Sequence, residues 1–360
     1  MLKRTPLYEV HRLANARMVP FAGWEMPVQY SSALAEHHAV RQKAGLFDVS
    51  HMGRYEVRGS GAYEFLQHLT CNDVARLVDG QAQYSAFLNE AGGFIDDIVV
   101  YRLATGRYLL CVNAARREAD WNWLEAHRPA GVELVDRSEE LAQIALQGPL
   151  AEEILQPLTE FRLSTLEYYH CAEAIVDGVP LWLSRTGYTG ERGFELYLPA
   201  ERAVDLWTRL VEAGGPRGLL PAGLAARNTL RLEVGYRLYG NDIDETTTPL
   251  EAGLAWIVKF GTGFIGEESL LRQKAEGLRR KLTGFTLVDP GIARDGCAVY
   301  WEGRPAGRVT SGGFSPTLNR SIGMAYLPPE AGEPGTSIEI EVRDKRKGAV
   351  VCKLPFLRRE

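Results

Sequence analysis

Apolar positions follow helical and strand spacings in turn along this chain, without a regular alternation of the two. Residues 32–44 carry a helical pattern that Gly45 is expected to end. Residues 55–58 predict a short strand, and 61–69 a helix with Phe65, Leu66 and Leu69 on one face. A hairpin follows, with strands at 84–88 and 94–103 around the Asn89-Glu90-Ala91-Gly92-Gly93 turn. Another strand at 108–112 and a helix at 115–126 complete a unit of about 55–139, expected to be a compact βαββαβ-type α+β module. A second set has similar grammar: strands at 141–147, 173–176, 180–184 and 193–198, with helices at 150–158 and 201–213. The N-terminal 50 residues are candidate partners for it. Beyond Lys281 the pattern changes to short strands at 282–287, 298–301, 337–342 and 349–353 with Gly/Pro turns, which predicts a small barrel or sandwich.

Within the hairpin, two adjacent carboxylates interrupt an apolar strand: Phe94-Ile95-Asp96-Asp97-Ile98-Val99-Val100-Tyr101. Side chains alternate faces along a strand, so Asp96 goes with Phe94, Ile98 and Val100, and Asp97 with Ile95, Val99 and Tyr101. At least one carboxylate therefore lies on a face that the pattern wants to bury. That costs several kcal/mol unless the charge is paired, so the pair is a candidate functional site.

Three further segments carry candidate chemistry. In Ser184-Arg185-Thr186-Gly187-Tyr188-Thr189-Gly190-Glu191, glycines imply a tight turn leading to a strand on which Glu195 and Tyr197 share a face. A carboxylate beside an aromatic suits a planar heterocycle: it can accept two hydrogen bonds from an amino-pyrimidine edge while a ring stacks on its face. A helix within 221–240 brings Arg227, Leu230, Arg231 and Val234 to one side, and two cations there suggest an anion site or pairing with surface acids. Gly261-Thr262-Gly263-Phe264-Ile265-Gly266 matches a dinucleotide fingerprint between a strand-like 256–260 and a helix-like 267–275. Glu267-Glu268 at that helix start opposes a pyrophosphate, and no repeating βα pattern surrounds the unit.

Composition narrows the class. With 360 residues and 45% hydrophobic content the chain can bury a substantial core, in two or three domains. A net charge of −5 argues against a nucleic-acid protein, and the basic runs at 279–281 and 343–347 read as solvated faces. No apolar run reaches membrane-span length, and residues 1–10 lack a secretory signal's apolar core. Five scattered cysteines without a C-x-x-C pair suggest reduced thiols in a cytoplasmic setting, and neither they nor the seven histidines propose a metal site.

Taken in order, the segments resemble the glycine cleavage system T-protein (aminomethyltransferase) family over essentially the whole length. The resembling blocks are Phe21-Ala-Gly-Trp24-Glu-Met-Pro27, Phe47-Asp-Val-Ser-His-Met-Gly53, Gly92-Gly-Phe-Ile-Asp-Asp97, Val112-Asn-Ala114, Leu146-Gln-Gly-Pro149, Thr186-Gly-Tyr-Thr-Gly-Glu191, Gly223-Leu-Ala-Ala-Arg227, Leu238-Tyr-Gly240 and Thr310-Ser-Gly-Gly-Phe-Ser-Pro-Thr-Leu318. The resemblance implies an α+β fold in a three-domain cloverleaf: two ferredoxin-like, folate-binding α+β units and a small C-terminal β-barrel. The expected boundaries are 1–54 with 140–277, an inserted 55–139, and 278–360. It implies transfer of a methylene from the aminomethyl-lipoyl arm of the H-protein to tetrahydrofolate, releasing ammonia and giving 5,10-methylenetetrahydrofolate. The glycine-decarboxylating and lipoamide-dehydrogenase components would be transient partners.

Carried residue by residue, the resemblance puts Asp97 beside the reacting pterin nitrogens and Glu195 at the pterin edge. Met52, Tyr84, Tyr168, Tyr188 and Tyr236 would line the pocket, with Asn113, Arg227 and the tail residue Arg358 as polar contacts. It leaves Gly261 and Gly263 incidental. Asn228 departs from the family's usual Asp, which bears on the setting of Arg227. Two alternatives share the fold: a folate-dependent demethylase acting on a free small molecule, and a non-catalytic folate-binding homologue of the iron–sulfur assembly type. The intact Asp96-Asp97 pair argues against the first, and the missing Cys of a Lys-Gly-Cys-Tyr-x-Gly-Gln-Glu signature against the second.

Overall fold

Every residue of strand Leu141–Gln147 after Leu141 is buried, and a six-stranded sheet is built around it. From edge to edge the order is Cys171–Val176, Val179–Ser184, Gly193–Pro199, Leu141–Gln147, Ala44–Asp48 and Leu219–Pro221, in a computed structural model that describes residues 1–358. Leu146, Ile144, Phe194, Leu196 and Leu198 face a core shared with helices Ala151–Leu155 and Ala203–Gly214. The second helix buries Ala203, Leu206, Trp207 and Leu210, at i, i+3, i+4 and i+7, so one stripe meets the sheet.

The helix predicted for 32–44 is Ala33–Gln42, with Ser32 Oγ accepting from the Ala35 N–H at 3.1 Å. Gly45 does not end it. Gly45 already lies in strand Ala44–Asp48, where a Cβ would stand 2.3 Å from Val40. Close packing rather than helix termination demands the glycine there. A two-stranded hairpin, Arg17–Phe21 with Trp24–Gln29, turns through Ala22 and Gly23, both at positive φ.

A five-stranded sheet has the order Gln81–Leu88, Phe94–Ala104, Arg107–Val112, Gly53–Arg58 and Glu133–Asp136. Helices Ala62–Leu69 and Arg117–His127 lie in the chain between its strands. The chain forms two compact units: residues 1–86 with 97–227, and residues 87–96 with those from 228 onward.

The second unit holds a closed six-stranded barrel, not a sandwich, around Phe285, Val299, Val309, Leu327, Ile340 and Val351. Strands Arg304–Ser315 and Arg320–Leu327 belong to it and escape the hydrophobic pattern. Arg304–Ser315 contains glycines that the packing requires: a Cβ on Gly307 would meet Tyr326 O at 2.0 Å, and one on Gly312 would meet Ala293 O at 2.1 Å. The strand-like 256–260 is instead a short 3-10 turn, Ala255–Ile257. In the glycine loop before helix Glu267–Glu276, the Glu267 carboxylate accepts from the N–H of Gly261 and, at 2.8 Å, from that of Gly263. The seat that a pyrophosphate would need is filled by the chain itself.

Helix Leu224–Glu233 carries Arg231 into the second unit, where it pairs with buried Asp242 at 2.7 Å and donates to Ser311 Oγ at 2.9 Å. Asn228 Oδ1 accepts from Arg231 Nε at 2.9 Å. The departure at 228 thus bears on Arg231, which is a structural ion pair and not a ligand cation. Among the described residues no helix is long and apolar enough to cross a membrane, and no group of three or more His, Cys, Asp or Glu could hold a metal.

Candidate active site

Alternation along Phe94–Ala104 separates the two acids as the sequence requires. Asp96 is fully buried with Phe94, Ile98 and Val100, whereas Asp97 is half-buried. Neutral donors reach Asp97 from both sides, one from a flanking strand and one from the residue that follows the other flanking strand. Tyr84, on Gln81–Leu88, donates its phenol to Asp97 Oδ2 at 2.8 Å. Asn113, just past Arg107–Val112, donates Nδ2 to Oδ1 at 2.8 Å and to the Asp97 carbonyl at 3.1 Å. Neutral donors fix a carboxylate's orientation without cancelling its charge.

The Asp97 face of this strand leads to Glu195 through aromatic side chains. Tyr101, four residues on and on the same face, lies 2.9 Å from the hydroxyl of Tyr197 on Gly193–Pro199. Their rings meet edge to face at 5.6 Å. Glu195 shares the Tyr197 face and is 8% exposed. Its Oε1 accepts from Gln143 Nε2 at 3.1 Å and its Oε2 from Thr186 Oγ1 at 2.5 Å. Burial, with the Glu195 charge second, pushes the Tyr101 phenol well above its ordinary pKa, so it stays protonated.

The turn before Glu195 is pinned by Gln147. Gln147 Nε2 donates to the Thr186 carbonyl at 3.1 Å, and Oε1 accepts from Thr189 Oγ1 at 2.9 Å. A Cβ on Gly187 would stand 2.0 Å from that Oε1, so only glycine fits. Buried Arg41 also ties the turn, donating to the Thr189 carbonyl at 2.7 Å and to Glu191 at 2.8 Å.

The other expected site residues fall into three groups. Tyr188 lies under the Arg227 guanidinium at 4.8 Å, and Arg227 Nη1 is buried without a hydrogen-bond partner. Burial lowers the Arg227 pKa, and the Glu195 charge opposes that shift. Met52 packs with Val99, Tyr101 and Tyr197 on the face that joins the two acids, whereas Tyr168 is 61% exposed with its ring 4.9 Å from that of Tyr169. Tyr236 and Arg358 belong to the second unit: Tyr236 O accepts from Arg231 Nη1 at 3.2 Å, and Arg358 is exposed.

Two residues around these groups were not anticipated. Gln143 contacts Glu195 directly, and the signal for it is an amide in the interior of the otherwise apolar 141–146 stretch. His51 is buried, with its Nδ1 lacking a hydrogen-bond partner. Burial pushes its imidazole down to about 3, helped by Arg227, Arg54 and Arg117 and opposed by Asp48. No spacing in the sequence marks it.

Comparison with known proteins decides the family. A family model described as "GCVT N-terminal domain" matches residues 7–262, and one described as "Glycine cleavage T-protein C-terminal barrel domain" matches 280–357. The chain belongs to the glycine cleavage T-protein family. A relative named aminomethyltransferase from Halothermothrix orenii is 50% identical over 357 residues, covering 99% of this chain and 100% of the relative. Another of that name, from Symbiobacterium thermophilum, is 52% identical over 366 residues, covering 99% and 98%. The crystal structure of the glycine cleavage system aminomethyltransferase T of Bartonella henselae is 37% identical and superposes with a TM-score of 0.93, covering 99% of this chain and 98% of that one. The family's activity is aminomethyl transfer, and the match over the full chain makes it the activity of this protein.

Proposed function

We propose that the chain performs this transfer with tetrahydrofolate as acceptor, and that Asp97 is the carboxylate at the reacting centre. The methylene gives up its bonds to sulfur and nitrogen and forms two bonds to folate nitrogens. The two displaced N–H protons leave with the thiol and the ammonia. Positive charge develops on the attacking nitrogen, and a carboxylate beside it stabilises that charge or accepts the proton. The observation that carries the reading is the pair of neutral donors on Asp97, Tyr84 and Asn113, each at 2.8 Å. They hold the group in place without bringing a counter-charge of their own.

Glu195 would receive the pterin edge, with Tyr188 and Arg227 beside it and Met52 and Tyr168 lining the site. The buried Arg227 Nη1, which no protein acceptor takes, supports a ligand contact there. For Tyr236 and Arg358 the proposal rests on the family resemblance alone. The donor of the aminomethyl group is proposed to be the lipoylated H-protein, with the other glycine cleavage components as transient partners in the cytoplasm.

The test is ammonia release from an aminomethylated lipoyl carrier, with and without tetrahydrofolate. Folate-stimulated release supports the reading. Release that ignores folate, or none at all, overturns it.

A further inference from the structure

The hydrogens around Glu195 can be assigned from its partners. Burial pushes the Cys111 thiol up to about 12, so it keeps its proton and can donate to Gln143 Oε1, 3.6 Å away. The opposite amide orientation would set Gln143 Oε1 against a carboxylate oxygen, acceptor against acceptor. Gln143 Nε2 therefore spends one hydrogen on Glu195 Oε1 and the other on the Tyr197 oxygen, each at 3.1 Å. Having accepted there, Tyr197 donates to Tyr101 at 2.9 Å, and Tyr101 donates to Thr186 Oγ1 at 3.2 Å. Thr186 has one hydrogen, and only Glu195 Oε2, 2.5 Å away, requires it. The Ser184 hydroxyl has a hydrogen of its own, which it can give to Thr186 Oγ1, 2.9 Å away, or to the His170 carbonyl, 3.4 Å away.

Two branches thus start at one amide and end on the two oxygens of one carboxylate, with every hydrogen directed toward it. We infer that Gln143, Tyr197, Tyr101 and Thr186 form a one-way relay that holds Glu195 as an acceptor only and makes the site select a ligand edge with two adjacent N–H donors. One acceptor position on each carboxylate oxygen remains for the ligand, and a fork of two parallel N–H bonds matches that pair. A ligand offering an acceptor or a methyl group at either place leaves a buried charge unpaired. These four are positioning residues. The identity of the fork as the 2-amino edge of a pterin rests on the folate reading above.

The test compares two probes by calorimetry, tetrahydrofolate and its 2-desamino-2-methyl analogue, in the wild type, Thr186→Val and Thr186→Ser. The wild type is expected to prefer the 2-amino probe by about tenfold or more, the size of one or two lost hydrogen bonds to a charge. Thr186→Val should cut that preference about fivefold, and Thr186→Ser should restore it. In turnover, Thr186→Val should raise KM for folate more than it lowers kcat. Tyr101→Phe breaks the relay one bond further from Glu195 and should lower the preference in the same direction by about twofold, which keeps the inference testable should the valine variant not fold. A full wild-type preference in either folded variant overturns the relay. No preference in the wild type overturns the placement of Glu195 at the folate edge instead.

Discussion

Asp97 and Glu195 are held by the same rule with different reach. On each, a neutral donor meets either carboxylate oxygen. Asp97 takes one donor from a flanking strand and one from Asn113, just past the other, and stays half-buried. Glu195 is buried, and its donors are themselves tied through the Tyr101–Tyr197 pair that bridges the two sheets. The short arrangement suits a group whose surroundings change charge during a reaction, because few dipoles have to move. The long one suits recognition, because the whole network fixes one orientation.

The largest expected effect breaks the comparison at Asp97. Asp97→Asn keeps the shape and removes the charge, and kcat should fall by about 10²–10⁴-fold with folate affinity changed only a few-fold. Asp96 points to the other face, so Asp96→Asn should act through stability instead. Equal kinetic losses in the two variants, measured in the ammonia-release assay, would defeat the division of faces.

Glu195→Gln should show the inverse signature: KM for folate up by about 10–100-fold, with kcat at saturation falling far less. A kcat loss as large as that of Asp97→Asn would make the two acids one catalytic unit. Tyr84→Phe removes one of the two holders of Asp97, and the loss of a bond worth about 1 kcal/mol predicts a roughly fivefold lower kcat. An unchanged kcat would show that Asn113 alone suffices.

An effect on stability rather than turnover bounds the pH range in which these experiments hold. His51 falls from 6.5 to about 3 on folding, so between those values the unfolded chain binds a proton that the native chain refuses. Stability therefore drops as pH falls through that window, with a slope approaching about 1.4 kcal/mol per pH unit. Asp48, lowered from 3.8 to about 2 against the cost of burial by its bonds to His11, Thr5 and Ser50, adds a loss only below 3.8. Urea unfolding at several pH values should show His51→Gln with a flatter dependence between pH 6.5 and 4 than the wild type, and an equally steep one would remove His51 from the account.

Strand alternation carried much of this architecture. The 141–147 and 298–301 strands fall where periodicity puts them, and the separation of Asp96 from Asp97 needed only a period of two. What stayed hidden has particular causes. Arg304–Ser315 uses glycines where neighbouring carbonyls approach within about the width of one atom, and glycine carries no strand signal. Gln143 carries no signal of its role because its partners, Glu195 and Tyr197, stand more than fifty residues away. Arg231 read as a possible ligand cation until Asp242, across a loop, supplied its counter-charge.

The carboxylate of Glu267, folded back onto Gly261 and Gly263, has a consequence of its own. Two amide dipoles that would otherwise draw a nucleotide's phosphate out of solution are neutralised from within. The loop keeps the letters of a fingerprint and loses its field. Such a plug lets a chain carry the spelling of a cofactor site through its descent without inheriting an affinity for the cofactor.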